Sequence, residues 1–463
     1  MIGEMKFLLG LVLAVALVAG GAYVYAGRLP GPQIQIVKPE KFVGQTTTVE
    51  VTINAPEAQW VGDFQVSFEQ NGKQTPLASF AQPATAEIKQ DGPGRVRITR
   101  TFGRDTIPDL KTGPARIVVT AVRPVLYGMR KASSTAAKDV QVRLERPQIA
   151  VLSTKHYINL GGSEMVVYRA TPADVASGVQ VGDFKYPGYP ASGARIEGIS
   201  ISDPAVKIAF IALRYDQDVN TPMYAYARDE AGNAARADFD RLTFPKPFKK
   251  SRIPLDDKFI ERVVPAILET TTEVNPQGST IEKFVAINSE LRRKNAEKIA
   301  SYAATSAPEL LWGGATFVPF GNATVEAAFA DQRTYTYGGK DVDRQTHLGF
   351  DLARVVNSPI QAGNRGKVVH AGPLGIYGNT VIIDHGMGVQ SLYAHLSSIG
   401  VNVGDMVEKA QELGKSGMTG MAQGDHLHFT QLVNGQMVNP VEWWDGHWIQ
   451  DRILRKLKEA SGS

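Results

Sequence analysis

The first clear hydrophobic pattern in the chain is an uninterrupted apolar run, residues 7–27, which is rich in Leu, Val and Ala and contains no charged residue. A run of about twenty apolar residues can cross a bilayer as a helix. Tyr23 and Tyr25 lie near its outer end, where aromatic rings suit a membrane interface. The run exceeds the 7–15 residues of a usual secretory signal core, so residues 1–28 are predicted to be a transmembrane anchor rather than a cleaved signal segment.

The pattern then changes to an alternation of apolar and polar residues with period two, which is typical of β-strands. It is clearest in residues 45–53, 94–99 and 115–121, and turn-forming residues separate these stretches. The spacing predicts an immunoglobulin-like (Ig-like) β-sandwich in residues 33–146.

A second Ig-like β domain is predicted for residues 147–244, with a buried strand at 206–213. Residues 227–233 have the pattern A-x-D-x-A-G-N, which resembles the end of bacterial Ig-like domains. An ordinary hairpin turn that contains Gly-Asn would explain the pattern nearly as well. Neither domain carries a catalytic motif, and we expect His156 to be structural. The two domains are interpreted as a spacer or a platform for partners.

Helical periodicity replaces the β pattern in residues 255–305, after a Pro- and Lys-rich stretch, 245–254, that is interpreted as a linker. Ser279 and Glu282 form a capping-box pattern at the start of one helix. The basic run 292–294 is interpreted as a solvated helix face, the usual place for such a run.

The last part of the chain is again predicted to be β-rich, over residues 311–448. An amphipathic helix is expected in 449–463. The fold class is therefore multidomain and mainly β: a transmembrane helix, two Ig-like sandwiches, a helical linker and a small antiparallel sheet domain. The strands expected in the last domain are residues 366–370, 379–384, 389–394 and 428–433.

The composition limits the kinds of catalytic and binding site that the chain can contain. The 463 residues contain no cysteine, which excludes disulfides, a thiolate nucleophile and cysteine ligation of a metal. The formal net charge is only +4, so nothing in the charge balance indicates nucleic acid binding.

The histidines are the main candidates for metal-binding and catalytic residues. Seven of the eight follow position 340. His426 and His428 lie two apart in a strand pattern, so both rings point to one face. His347 and Asp351 have the spacing H-x-x-x-D, and His395 lies between the two groups. Each motif alone is ordinary, but their combination within about eighty residues indicates a metal site.

Zinc fits this set of ligands. A catalytic zinc site uses three protein ligands and leaves one position for water. His347, Asp351 and His428 would supply two nitrogens and one oxygen. His395 and His426 would then remain beside the metal as proton carriers, because histidine titrates near neutral pH.

These residues resemble a known family. H-x-x-x-D at His347 and Asp351, Y-A-H-L around His395, and H-L-H at His426 and His428 occur in the order seen in lysostaphin-type (LytM-like) zinc metallopeptidases. The resemblance covers roughly the last third of the chain, and it also includes residues 378–386 and 439–440.

The resemblance implies a zinc endopeptidase that cuts the peptide part of peptidoglycan, with His395 and His426 as catalytic residues. It also implies an inner-membrane protein whose bulk faces the periplasm or cell wall, where the Ig-like domains could bind envelope proteins. Many family members carry an acidic residue where this chain has Thr430, which is expected to flank the site. Arg333 and Tyr337 are expected to line the cleft.

Two other functions are compatible with the pattern. Some relatives with this fold have lost their metal ligands and regulate another wall hydrolase. A helix from residues 256–300 lying across the cleft would make this chain an autoinhibited form. A lipoyl or biotin carrier would need a modified lysine such as Lys409, but that residue lacks the flanking methionines of a biotin site.

Overall fold

The structure is a computed structural model of the chain and describes residues 2–55, 61–82 and 85–462. The chain divides into two compact units. The first comprises Met1–Pro147 and Arg228–Ala234, and the second comprises Gln148–Ala227 and Ala235–Ser463.

The first unit begins with the helix α1 (Ile2–Ala26). Its segment Met5–Ala26 reaches a mean hydropathy of 2.4, and this apolar stretch is not buried within the protein. The helix is long and apolar enough to cross a membrane, so it fits the predicted anchor.

Two β-sheets form the rest of the first unit. Their strand orders are β1-β3-β7-β6 and β2-β9-β8-β4-β5. The strands are β1 (Gln33–Lys38), β2 (Phe42–Val43), β3 (Thr46–Asn54), β4 (Asp63–Gln70), β5 (Lys73–Ser79), β6 (Glu87–Gly92), β7 (Arg95–Gly103), β8 (Gly113–Val125) and β9 (Arg130–Val142). Val51 and Ile98 from one sheet share a buried core with Phe68 and Val119 from the other. The unit is therefore a two-sheet sandwich, and its Ig-like character stays a prediction.

The second unit begins with a further group of strands. They form the sheets β10-β12-β16-β15 and β14-β13-β17-β18 and a parallel pair, β11 with β19. The strands are β10 (Gln148–Val151), β11 (His156–Asn159), β12 (Ser163–Thr171), β13 (Ala176–Val181), β14 (Phe184–Pro187), β15 (Tyr189–Pro190), β16 (Val206–Ala212), β17 (Met223–Arg228), β18 (Ala234–Asp238) and β19 (Arg241–Phe244). The predicted buried strand corresponds to β16, in which every residue is buried.

The stretch interpreted as a linker contains a strand instead. β20 (Lys250–Pro254) pairs in parallel with a strand of the last domain and becomes one edge of a three-stranded sheet. The Lys and Pro content suggested a linker, but exposed and half-buried residues alternate here, as edge strands allow.

Helices follow as predicted: α2 (Asp257–Thr270), α3 (Thr280–Ala286) and α4 (Arg292–Ser301), with a π-helical turn at Ile287–Leu291 between the last two. The capping box of Ser279 and Glu282 is present at the start of α3. Phe284, Ile287 and Leu291 are fully buried in a core shared with the last domain. The helices are therefore packed onto that domain.

The last domain is built on a large, mostly antiparallel sheet of order β21-β24-β32-β28-β27-β26-β30, in which β33 also pairs with β32. Two three-stranded sheets, β20-β22-β23 and β25-β31-β29, flank it. The strands are β21 (Thr324–Ala327), β22 (Asp331–Tyr337), β23 (Lys340–His347), β24 (Phe350–Ala353), β25 (Pro359–Gln361), β26 (Gly366–Pro373), β27 (Asn379–Gly386), β28 (Val389–Ala394), β29 (Ser398–Ile399), β30 (Met406–Val407), β31 (Glu412–Lys415), β32 (Leu427–Val433) and β33 (Gln436–Val438).

Short helices end the chain: α5 (Val441–Trp444), α6 (Gly446–Ile449) and α7 (Arg455–Ser461), with a π-helical turn at Gln450–Leu454. They pack with strands β12 and β16 into one hydrophobic core, which includes Val167, Phe210, Trp443 and Ile453. The second group of strands and the last domain are thus joined through a buried core.

Candidate metal centre

Neighbouring strands bring the predicted ligands together. Asp351 of β24 pairs directly with His428 of β32, and His347 ends β23 opposite Asp331. Side chains of directly opposed residues in an antiparallel pair lie on the same face, so Asp351 and His428 must point the same way. Gly349 lies between the first two ligands, and a Cβ there would meet the His428 ring at 2.5 Å, so only glycine fits.

The three ligand atoms converge. Asp351 Oδ1 lies 2.9 Å from His347 Nε2 and 2.9 Å from His428 Nδ1, and the two nitrogens are 3.0 Å apart. Ligands of a tetrahedral zinc ion are about 3.3 Å from one another. All three residues are buried, at most 9% exposed, so the three facing ligand atoms are held largely away from water. The group therefore has the ligand atoms and the close approach of a site that could hold a metal ion.

The ring nitrogens of His347 and His428 that face away from Asp351 are also hydrogen-bonded. His347 Nδ1 lies 3.2 Å from the carbonyl oxygen of Ala328, so it donates its N–H there. His428 Nε2 lies 3.0 Å from Thr430 Oγ1, and that hydroxyl donates to the carbonyl oxygen of Leu348 at 3.1 Å. Because the hydroxyl proton is used, His428 must donate to Thr430. Both rings therefore turn a lone pair toward the metal position, as zinc-binding histidines do.

Arg333 holds the second oxygen of Asp351. Its Nη2 lies 3.1 Å from Asp351 Oδ2, and its Nε lies 3.4 Å from Asp331 Oδ2. Burial alone would raise the pKa of Asp351, but the neighbouring histidines, His347 first, outweigh burial and hold that pKa well below 3.8. The carboxylate is thus ionised and ready to bind a cation.

The two predicted proton carriers lie beside the ligands. His395 and His426 have ring centroids 4.9 Å apart, and His426 Nε2 lies 3.5 Å from Asp351 Oδ1. Their Nδ1 atoms donate to the carbonyl oxygens of Thr419 and Gly424, at 2.8 and 2.9 Å. The Nε2 atom of each ring is therefore left for proton transfer.

Their surroundings shift the pKa values of these two histidines in opposite directions. Burial lowers the pKa of His395 well below 6.5. Burial also acts to lower the pKa of His426, but the hydrogen bond and the charge of Asp351 raise it overall. A pair of titratable groups with separated pKa values is the arrangement expected of an acid and a base.

A cleft of about 230 Å³ opens onto these five residues. One wall comes from strands β20 and β22, where Arg333 lines the cleft as expected. Tyr337 lies outside the lining, and its hydroxyl donates to Asp257 Oδ1 at 2.5 Å. Another wall comes from the helical section, through Phe259 of α2 and Arg292 of α4.

Two of these cleft residues were missed by sequence reasoning. Ser251 lies in the stretch interpreted as a linker, and its hydroxyl donates to Asp331 Oδ1 at 2.8 Å. Arg292 belongs to the run interpreted as a solvated face; that interpretation is wrong for Arg292, although Arg293 is exposed and pairs with Glu297. Helical periodicity from the buried Leu291 and Asn295 could have indicated an inward-facing neighbour.

The remaining histidines lie elsewhere. His385 is fully buried and does not line the cleft; its Nδ1 lies 2.8 Å from the carbonyl oxygen of Arg365 and its Nε2 lies 2.7 Å from Ser391 Oγ. His370 Nδ1 lies 3.0 Å from the Tyr302 hydroxyl, and His447 is exposed. His156 is buried against Ser153 and Phe239, as a structural histidine would be.

Comparison with known proteins points to the same part of the chain. Residues 345–440 match the model of peptidase family M23. The DD-carboxypeptidase/endopeptidase Mpg of Neisseria meningitidis is 42% identical over 95 residues, or 20% of this chain and 22% of that protein. The peptidoglycan DD-endopeptidase ShyA of Vibrio cholerae is 38% identical over 96 residues, or 21% of this chain and 22% of that protein.

Among solved structures, the catalytic domain of lysostaphin from Staphylococcus simulans is 30% identical, with a TM-score of 0.23, and the match covers 27% of this chain and 92% of that domain. The chain spans about a fifth of the length of the curated relatives it matches. All five candidate residues lie within the matched range, and so does the whole metal group. Residues 345–440 therefore form a peptidase family M23 domain, which is homologous to the lysostaphin-type endopeptidases.

Proposed function

We propose that the protein is a zinc-dependent endopeptidase that hydrolyses peptide bonds in the stem peptides or cross-bridges of peptidoglycan. The observation that carries this proposal is the convergence of His347 Nε2, Asp351 Oδ1 and His428 Nδ1 at 2.9–3.0 Å, in a cleft that also contains two further histidines. The relatives named as peptidoglycan endopeptidases support the choice of substrate.

The residues that would bind the metal ion and the residues that orient them have different roles. His347, Asp351 and His428 would hold the ion, with Arg333 and Thr430 fixing the orientation of two of these ligands. A zinc ion there would supply Lewis-acid activation of water and of the scissile carbonyl.

His395 and His426 would transfer the protons. The raised pKa of His426 suits a group that carries a proton on Nε2, while His395, held neutral by burial, can accept one on Nε2. A positioned acid or base of this kind contributes roughly 100- to 10,000-fold to the rate. The motif H-E-x-x-H, which would supply a glutamate base, does not occur in the sequence.

Purified peptidoglycan digested with the full chain, with products identified by mass spectrometry, tests the proposal. We expect new peptide termini that disappear with a chelator and return when zinc is added. His395→Ala and His426→Ala should keep zinc and lose at least about a hundredfold in rate. A zinc-loaded protein that releases no fragments, yet stimulates another wall hydrolase, would favour the regulator instead.

We also propose that α1 anchors the protein in the inner membrane, with the remaining domains on the envelope side and the β-sandwich of the first unit available to envelope partners. The support is the length and apolar composition of α1. The protein should remain in the membrane fraction after a high-salt wash and become soluble when residues 1–28 are removed. Release of the full chain by salt alone would contradict an anchor.

A further inference from the structure

The cleft contains a positive charge that the matched family segment does not supply. Arg292 begins α4, more than fifty residues before the range 345–440, and lines the cleft together with Tyr377, His395 and Met421. Arg292 is only half-buried, so water and solutes can reach it. The wall of the cleft therefore includes a guanidinium group from the helical section.

The orientation of Arg292 is fixed by its own helix. Its Nε donates to the carbonyl oxygen of Asn288 at 3.0 Å, and its Nη2 donates to Asn288 Oδ1 at 2.6 Å. Asn288 is fully buried, and its Nδ2 donates to Asp343 Oδ2 at 2.7 Å. The π-helical turn Ile287–Leu291 carries Asn288, and such turns are frequent at functional sites. A side chain held in this way loses little entropy when it binds a ligand.

Within the described part of the chain, no carboxylate pairs with Arg292. Among the described residues, the acceptors of Arg292 are the carbonyl and amide oxygens of Asn288 and the sulfur of Met421, and none is a carboxylate. The other arginine of the cleft, Arg333, contacts both Asp331 and Asp351. Glu326 also lines the cleft, but its charge acts on His426, beside the metal group.

We propose that Arg292 binds a carboxylate of the substrate, so that the cleft selects peptides that carry a free carboxylate near the scissile bond. Arginine matches a carboxylate with two parallel N–H donors, and such charge-assisted bonds are about twice as strong as neutral ones. This inference rests on the proposed function and deepens it, because it names acidic, non-amidated stem peptides as the substrate class.

Two synthetic cross-linked stem peptides, identical except that one has free carboxylates and the other has them amidated, provide the test. The full chain should cleave the acidic peptide with roughly 10- to 100-fold higher kcat/KM, the range expected for one hydrogen bond to a charged group. Arg292→Gln should bring this preference below about threefold by slowing cleavage of the acidic peptide only.

Two matched variants serve as controls. Arg293→Gln changes the neighbouring exposed arginine, which pairs with Glu297, and should keep the full preference. Arg292→Lys should keep part of it, because lysine retains the charge but not the planar fork. Zinc content and melting temperature show whether each variant is folded, and if Arg292→Gln is not, the result for Arg292→Lys decides.

Binding of the same peptides to metal-depleted protein, measured by calorimetry, separates this inference from the proposed function. Tighter binding of the acidic peptide that depends on Arg292 supports the carboxylate site, even if the zinc-loaded chain cleaves neither peptide and the proposed hydrolysis fails. Equal binding of both peptides by the unmodified chain, or a preference that survives Arg292→Gln, overturns the inference while leaving the proposed hydrolysis intact.

Discussion

His428 has a different neighbour at each ring nitrogen, and this shows how single residues prepare the site. Its Nδ1 faces Asp351, while its Nε2 is held by Thr430. Parity along the strand predicts that Thr430 lies on the face of His428, but the sequence does not reveal that the hydroxyl also donates to the carbonyl oxygen of Leu348. That second bond fixes the tautomer of the ring, and it depends on the packing of β32 against the connection between β23 and β24, which is distant in sequence.

Thr430→Val should therefore weaken zinc binding, because valine keeps the volume of threonine and removes the acceptor for His428 Nε2–H. Loss of such a supporting bond typically lowers metal affinity 10- to 100-fold. Competition with a chromophoric chelator measures the change. Thr430→Ser keeps the hydroxyl and should bind zinc nearly as well as the unmodified chain; equal affinity in the valine variant would show that Thr430 does not orient the ring.

His385 makes the stability of the domain depend on pH. Burial lowers its pKa to about 4, against about 6.5 in the unfolded chain. Between these values the unfolded chain binds a proton that the folded chain does not, so stability falls as pH decreases from 6.5 to 4 and is unaffected by this group above 6.5. The loss should total on the order of 3 kcal/mol at pH 4.

Melting temperatures of the unmodified chain and of His385→Asn, measured at pH 7.5, 5.5 and 4.5 (chosen to bracket the window), test this dependence. The variant should be less stable at pH 7.5, because it loses the bonds to Arg365 and Ser391. Its further decrease on acidification should be smaller than that of the unmodified chain. Parallel decreases in both proteins would mean that another group controls the acid response.

At the scale of elements, one side of the cleft comes from segments outside the matched family range, residues 345–440. Strand β20 supplies Ser251, and α2 and α4 supply Phe259 and Arg292. Hydrophobic periodicity predicted the helices, and the sequence also indicated four central strands of the last domain, β26, β27, β28 and β32, because burial of one face determines such patterns. It did not predict β20, since an edge strand with exposed lysines has the composition of a linker.

The helical section also holds a loop beside the ligands. Asn295 of α4 is buried, and its Oδ1 accepts a hydrogen bond from the backbone N–H of Ile376 at 3.0 Å. The next residue, Tyr377, has its ring 5.4 Å from that of His428, and its carbonyl oxygen accepts the backbone N–H of His395. A Cβ on Gly375, whose φ is +47°, would lie 2.3 Å from Asn295, so the contact requires glycine.

Asn295→Ala should therefore loosen this loop without removing a ligand. An unsatisfied buried N–H costs about 1–3 kcal/mol, so amide exchange at Ile376 should accelerate roughly tenfold or more. Hydrogen–deuterium exchange measures this effect, and turnover should fall while zinc content is unchanged. Asn275→Ala, at an exposed position before α3, is the matched control. Unchanged exchange at Ile376 would show that α4 does not hold the loop.

At the scale of the molecule, a buried charge pair joins the second group of strands to the C-terminal helices. Lys456 Nζ lies 2.7 Å from Glu164 Oε1, and neither side chain is exposed. Nearby, Glu442 accepts hydrogen bonds from Ser163, and Trp443 Nε1 donates to Ser163 Oγ. The sequence predicted these two regions as separate domains, and nothing in its local pattern indicates pairing between residues almost three hundred positions apart. Such contacts are set by tertiary packing.

Lys456→Met should destabilise the second unit by about 3–5 kcal/mol, because it leaves the Glu164 carboxylate buried without its counter-charge. The double variant Glu164→Gln with Lys456→Met should recover most of this loss, since the unpaired Glu164 carboxylate is then absent. Denaturant unfolding followed by tryptophan fluorescence reports on this core, which contains Trp443. A double variant as unstable as the single one would show that the methionine, rather than the lost pairing, is responsible.

The zinc content of the purified full chain tests the central claim most directly. Elemental analysis should find about one zinc per chain, and His347→Ala and His428→Ala should each remove it, because two protein ligands do not hold zinc tightly. His447→Ala, which changes an exposed histidine outside the cleft, should keep it. Zinc retained at the same stoichiometry in both ligand variants would contradict the account.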